Sequence, residues 1–305
     1  MLPIIKLMSI QYPAKILLFG EHTVIKGSQA LAVPIRQFFG SWVFSTNSTN
    51  IKSLQQNLSS FQQYILDLGL GDILDNCIFK EELNKGIYFQ SNIPTGYGLG
   101  SSGALCAGIL DRYKKNTDQI SLMETKRILG KLESFFHGSS SGTDPLVSYT
   151  NQPLKIGEGV EKVTIPNVNK QGKKVVFLLD TQIKRKAAKY INTFLDKCKD
   201  PDYEKLCVRL LVPLVDEATE LFLKGNWSPL MVTMHELSFF QIRYFDYMIP
   251  NTFRKVWLDG LNSQNYKLKI CGAGGGGFLL GFSNDFVKTK ILLQDYQLIP
   301  VLRYN

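Results

Sequence analysis

No stretch of the chain restricts its fold as much as residues 94–102, Pro-Thr-Gly-Tyr-Gly-Leu-Gly-Ser-Ser. Before it, Gly86 to Ser91 alternates Ile87 and Phe89 with Tyr88 and Gln90, the period of a strand, and Pro94 stops the ladder. After it, Ser101 to Lys115 sets Ala104, Leu105, Gly108, Ile109 and Tyr113 at helical spacing. A strand that feeds a helix through a glycine at every second position predicts a loop whose main chain lies against a ligand. Gly96, Gly98 and Gly100 let the backbone approach closely and point several N–H groups inward, and the helix N-terminus adds about half a positive charge. Such a site suits phosphate. Pro94, Leu99 and Gly103 belong to the same stretch, and a hydroxyl of Ser101 or Ser102 caps the helix or ligates a magnesium ion. Two better-known loops do not fit. No lysine follows the last glycine, as a Walker A loop requires, and the glycine spacing is not that of G-x-G-x-x-G. A purely structural turn is the alternative.

A second glycine run, Gly272-Ala-Gly-Gly-Gly-Gly277, joins two apolar segments, Lys267–Cys271 and Phe278–Phe282, that read as strands. A tight turn needs one or two glycines. Five carry an entropic cost with no packing in return, so Gly274 and Gly275 at the centre point to a ligand or another backbone in close approach. A flexible hairpin tip is the alternative.

Elsewhere the chain alternates strands and helices. Ile16–Phe19 and Ala30–Ile35 are short apolar runs that read as strands, and Ser45 to Asn57 is a polar loop leading into a helix near 58–68. Ser121 with Glu124 forms a capping box that opens a helix, and Gly138 is placed to end it. Lys174–Asp180 is a strand, followed by helical stretches near 186–198, 203–224 and 229–248. At 305 residues the chain exceeds one hydrophobic core, and the clustering of helices late in the sequence gives an α+β chain of two domains, 1–160 and 161–305. With 44% apolar and 20% charged residues it is not a disordered chain, and no apolar run approaches the ~18 residues of a membrane span. The opening residues lack a basic leader and a cleavage site, and five cysteines without a C-x-x-C pair fit reduced thiols, so a cytoplasmic location is expected. With three histidines besides, a structural zinc site is not expected. A net charge of +9 favours an anionic partner, which nucleic acid, a membrane surface or a phosphorylated or carboxylated small molecule would satisfy.

Glu133 and His137 stand one helical turn apart with Gly130 on the same side, and Asp144 follows beyond a glycine- and serine-rich loop. Two carboxylates so presented suit a metal ligand and a base. Lys15, just before the strand at 16–19, pairs with an acid or with phosphate, or simply snorkels. Gly138-Ser-Ser-Ser-Gly142 matches G-x-S-x-G but follows a helix, and His235-Glu236 opens an H-E-x-x-H motif that Phe239 breaks. Neither hydrolase reading holds.

Taken together, Pro13-Ala-Lys-Ile-Leu-Leu-Phe-Gly-Glu-His22, the 94–102 loop and Gly272–Gly277 resemble the three motifs of the GHMP small-molecule kinases, in order and over nearly the whole chain. Within that family the chain is most similar to the mevalonate kinases. Gly20-Glu-His-Thr-Val-Ile-Lys-Gly27 resembles their GEHxVxxG, and Glu133 to Asp144 resembles their E-x3-HG-x2-SG-x-D in identity and spacing. The resemblance implies a ribosomal-protein-like nucleotide-binding domain followed by a ferredoxin-like α+β domain. It implies ATP on the 94–103 loop, Mg2+ on Ser102 and Glu133, Asp144 as catalytic base and Lys15 as its partner. Glu21, His22, Arg185, Gly274 and Gly275 would meet the acceptor, a small anionic or hydroxylated molecule, in a monomer or homodimer with no nucleic-acid or membrane partner. One stretch departs. Where mevalonate kinases tend to show T-K-x-P-R-x-T, this chain reads Thr181-Gln-Ile-Lys-Arg-Lys-Ala187, without the last hydroxyl. The implied activity is ATP-dependent phosphorylation of mevalonate, in isoprenoid biosynthesis, or of phosphomevalonate, a sugar or a sugar phosphate. An RNA-binding module leaves the paired loops and carboxylates unused, and a nucleotide-binding pseudo-kinase fits poorly with both Asp144 and Lys15 present.

Overall fold

A computed structural model describes residues 10–45, 52–115, 120–184 and 187–305, with the backbone alone over 52–55. The first half runs β1 (Tyr12–Phe19), β2 (Ala30–Phe44), α1 (Lys52–Asp67), α2 (Asn76–Asn84), β3 (Ile87–Ser91), α3 (Ser101–Tyr113), α4 (Leu122–His137) and α5 (Thr143–Thr150). Then come β4 (Leu154–Ile156), β5 (Val160–Lys162), β6 (Lys174–Asp180), α6 (Ala187–Lys197), α7 (Pro201–Leu206), α8 (Val212–Leu223) and α9 (Trp227–Tyr244). The chain closes with α10 (Arg254–Asn262), β7 (Tyr266–Ile270), β8 (Phe278–Ser283), α11 (Phe286–Leu292) and β9 (Leu298–Tyr304). The α+β expectation holds, with the strands in two sheets. Among the described residues no helix is long and apolar enough to cross a membrane.

Local chemistry explains the boundaries. Ser121 caps α4 by accepting the Glu124 N–H, and Gly138 ends it at φ 76°. Glu124 turns its carboxylate to Arg127. The single helix expected over 203–224 is instead α7, a π-turn over Cys207–Leu211, and α8. Pro213 offers no N–H to the carbonyl four residues back, and the π-turn absorbs the mismatch, with the Val212 N–H reaching Cys207 O.

The chain divides into two compact units, each discontinuous in sequence. One holds the chain up to Lys15, Pro34–Pro94 and Gly100–Asn151; the other holds Ile16–Val33, Thr95–Leu99 and Gln152–Asn305. In the first unit, β3 pairs antiparallel with the end of β2, from Gly40 opposite Ser91 to Phe44 opposite Ile87. Trp42 anchors the core there, its ring 5.1 Å from that of Phe89 and 5.9 Å from that of Tyr113, its Nε1 donating to the Gly108 carbonyl. Burying such a ring contributes on the order of 2–3 kcal/mol. At the start of α3, a Cβ on Gly103 would lie 2.9 Å from the backbone nitrogen of Pro145. α3 therefore meets α5 main chain to main chain, which fixes Asp144.

In the second unit, β6–β9 form an antiparallel sheet of order β7-β8-β6-β9, with Phe177 opposite Gly281. β6 is buried on both faces through Val175–Leu179, which is why its sequence is apolar without alternation. Phe19, Phe222 and Phe282 pack together in this unit. The first three residues of β2 pair there with β4, which pairs with β5.

Candidate active site

In the first unit four of the expected residues converge. Lys15 Nζ lies 2.7 Å from Asp144 Oδ2, with the lysine side chain 9% exposed and the aspartate 36% exposed. Asp144 is the second residue of α5, where the helix dipole favours a carboxylate. Gly100 is the N-cap of α3 at φ 73°, and a Cβ there would lie 3.1 Å from Lys15 Cγ and 3.7 Å from Asp144 Cβ. The end of the glycine loop therefore rests on the ion pair, and its left-handed φ and the close Lys15 side chain both favour glycine there.

In the first turn of α3, the Ser102 hydroxyl donates to Glu133 Oε1 at 3.0 Å and lies 3.0 Å from His137 Nε2. Glu133 Oε2 accepts from Ser140 at 2.5 Å, and Ser140 Oγ in turn accepts the Gly142 N–H at 3.0 Å. Gly130 makes this possible, since a Cβ there would stand 3.0 Å from the Ser140 carbonyl. Glu133 is 4% exposed, and its pKa is raised, first by burial and then by the charge of Asp144. A buried carboxylate beside a second one gains from a nearby cation. The donors at hand, a carboxylate and a serine hydroxyl, are hard oxygens of the kind that hold Mg2+ while substrate and water supply its remaining ligands. The residues fit that ion. Sequence reading noted Glu133 and His137 on one helix face but missed Ser140, whose role depends on the loop turning back over Gly130.

The second unit carries Thr95–Leu99. Gly96 and Gly98, like Gly100, have positive φ, at 81°, 76° and 73°. Left-handed residues at every second position are the backbone pattern of an anion-binding nest. Leu99 is buried, and Tyr97 lies against Phe278, ring centroids 4.9 Å apart. Burial and a hydrogen bond to Asp180 raise the Tyr97 pKa. The aromatic residue amid the glycines was the available signal for this anchor, which sequence reading did not use.

The Gly272–Gly277 run is no loose hairpin tip. Gly275 donates its N–H to Met248 O at 2.6 Å and Gly277 donates to Ile183 O at 2.7 Å. A Cβ on Gly275 would enter the Tyr190 ring, and one on Gly277 would lie 3.0 Å from Tyr97 O. Close approach by other parts of the same unit accounts for the glycines, Gly274 included, which abuts Met248. Glu21 and His22 sit in the turn after β1, because Gly20 at φ 100° breaks the strand. Glu21 is buried and ion-paired with Lys269 at 2.6 Å, their side chains 4% and 1% exposed. His22 adopts φ 65° with its ring 5.0 Å from that of Phe194. Arg185 lies outside the described residues, and Ala187 opens α6.

Residues 72–152 match the family profile described as "GHMP kinases N terminal domain". The mevalonate kinase of Pyrococcus abyssi is 32% identical over 157 residues, 45% of this chain and 47% of that protein. The chain thus spans about half the length of the curated relatives it matches at this level. The mevalonate kinase of Methanocaldococcus jannaschii is 26% identical over 98% of both chains. Among solved structures, the Methanococcus jannaschii mevalonate kinase covers 98% of each chain at TM-score 0.64 and 19% identity. A galactokinase of Lactococcus lactis covers 96% of this chain and 92% of its own at TM-score 0.66 and 14% identity. At those identities the structural likeness speaks for the fold. Residues 72–152 therefore match the profile of the GHMP kinase N-terminal domain, and the chain takes the fold of the solved mevalonate kinase and galactokinase structures along nearly its whole length.

Proposed function

We propose that the chain transfers the γ-phosphate of ATP to an alcohol hydroxyl, with mevalonate as the acceptor and 5-phosphomevalonate as the product. The observation that carries this reading is the Lys15–Asp144 pair under the N-cap glycine of α3. Phosphoryl transfer asks little covalent work of a protein; it needs phosphate held and a hydroxyl aligned. The left-handed glycines of 94–103 and the first N–H groups of α3 hold phosphate. Lys15 fixes the orientation of the Asp144 carboxylate, and the exposed part of that carboxylate takes the proton of the acceptor hydroxyl. A base so placed contributes about 10²–10⁴-fold. Ser102 and Glu133 would hold Mg2+, which when bound neutralises phosphate oxygens. Glu21, His22, Arg185, Gly274 and Gly275 keep the acceptor-side roles that the family resemblance implies.

Mevalonate leads as acceptor because the curated relatives matched bear the name mevalonate kinase. A second reading rests on Ala187, which stands where mevalonate kinases carry a threonine hydroxyl. It makes the acceptor phosphomevalonate or a sugar. A coupled ADP-release assay with ATP and magnesium across mevalonate, phosphomevalonate, galactose and homoserine separates these. Mevalonate-dependent ADP release is expected. Release with another member of the panel alone moves the acceptor and keeps the transferase, and silence with all four contradicts the proposal.

A further inference from the structure

In the first unit, α4 and the serine-rich loop after it enclose a cleft of about 490 Å³ that the site above leaves unused. The loop meets the helix closely because Gly142 has no side chain; a Cβ there would strike the Lys126 carbonyl oxygen. Three cations, Lys126, Arg127 and Lys131, line the cleft from the helix, with Met123 beside them. Ser134, Ser140 and Ser141 complete the wall. No carboxylate is among these described lining residues, and nothing from 94–103 reaches them.

The charges around the cleft do not balance. Arg127 gives two N–H groups to Glu124, at 2.8 and 2.5 Å, and the other three of its fork have no partner among the described residues. Neither Lys126 nor Lys131 forms an ion pair with a described residue, although both side chains are half-buried. Lys131 acts on Glu124 only at longer range. Three cations thus share one carboxylate, an excess of two positive charges. Burial lowers the Lys126 pKa with no acid working against it. A half-buried ammonium without a counterion gains from a bound anion. The serines direct their hydroxyl hydrogens to Gly130 O, Glu133 Oε2 and Thr143 Oγ1, so the cations rather than the hydroxyls are free to hold a ligand.

We propose that this cleft binds a small phosphate-bearing molecule, with its phosphate on Lys126, Arg127 and Lys131 and its organic part along Met123 and the lysine stems. A phosphate group carries about −1.5 to −2 at neutral pH, which matches the local excess; a single carboxylate would leave part of it unpaired. The open edge of the guanidinium fork suits two phosphate oxygens, and the lysines act as point charges. The volume lies in the range of small-molecule pockets and leaves space beyond the phosphate itself. Ser140 both lines the cleft and holds Glu133, so an occupant touches the seat of that carboxylate.

The test follows acetylation of individual lysines in the full chain by mass spectrometry, with inorganic pyrophosphate as the probe and sodium chloride at matched ionic strength as the control. Reading each lysine separately keeps this cleft distinct from the glycine loop, where pyrophosphate also has a place. Acetylation of Lys126 and Lys131 should slow by about tenfold once pyrophosphate stands about tenfold above its Kd. The exposed Lys199 should react at an unchanged rate. Lys126→Gln should raise the Kd read at Lys131 by about tenfold. If that variant does not fold, the parent protein's protection pattern decides alone. Unprotected lysines, equal slowing by chloride, an unchanged Kd in folded Lys126→Gln, or protection by a short RNA but not by pyrophosphate would each overturn the proposal.

Discussion

Glu133 concentrates the residue-scale physics of the first unit. Its carboxylate is out of water, near Asp144, and held by Ser102 and Ser140. Its folded pKa stands above the unfolded one, so the protonated form stabilises the fold at acid pH. That contribution is lost as pH rises from the usual carboxylate range through the raised value. Glu133→Gln should therefore melt at a higher temperature than the parent at about pH 8, with the difference gone near about pH 4. Thermal melts at both pH values check this. The same variant should lose magnesium dependence of turnover, a separation of stability from activity common at functional sites. Asp144, Lys15, Glu133 and Ser102 were legible because each lies in a motif whose spacing is fixed along the chain. Ser140 and Tyr97 were not, since their partners Glu133 and Asp180 are set by how loops fold back.

At the scale of elements, sequence periodicity located α3 and α4, and the caps Ser121 and Gly138 of α4 with them, because capping is local chemistry written within four residues. The serine cap expected for α3 is not formed, since left-handed Gly100 is its N-cap with no side-chain hydrogen bond. Periodicity missed the break between α7 and α8, where Pro213 changes the hydrogen-bond pattern without changing the apolar period. Removing the cap, Ser121→Ala, should cost about 1 kcal/mol by urea denaturation. Gly142→Ala should cost more. Gly142 has φ 74°, and a Cβ there would strike the Lys126 carbonyl. A loss on the order of 2–4 kcal/mol is expected, from strain plus overpacking, and because this loop carries Ser140, activity should fall with it. A neutral Gly142→Ala variant, in both melting and turnover, would contradict the contact.

On the scale of the whole molecule, each unit draws on distant parts of the chain. The second unit pairs Glu21 with Lys269 across 248 positions, and both are fully enclosed. No composition change marks residues 16–33 or 95–99 as companions of the C-terminal half, so the interleaving was invisible to a linear reading. Lys269→Met leaves Glu21 buried without its cation and should cost about 3–5 kcal/mol, most of it recovered by adding Glu21→Leu. Urea titration of the single and double variants measures both. The account as a whole rests on Asp144 acting as base next to phosphate held on main chain. Parallel measurement of MgATP affinity and of kcat for wild type and Asp144→Asn tests it most directly. The account predicts unchanged nucleotide affinity with kcat lower by about 10²–10⁴-fold. Full turnover in Asp144→Asn would contradict it.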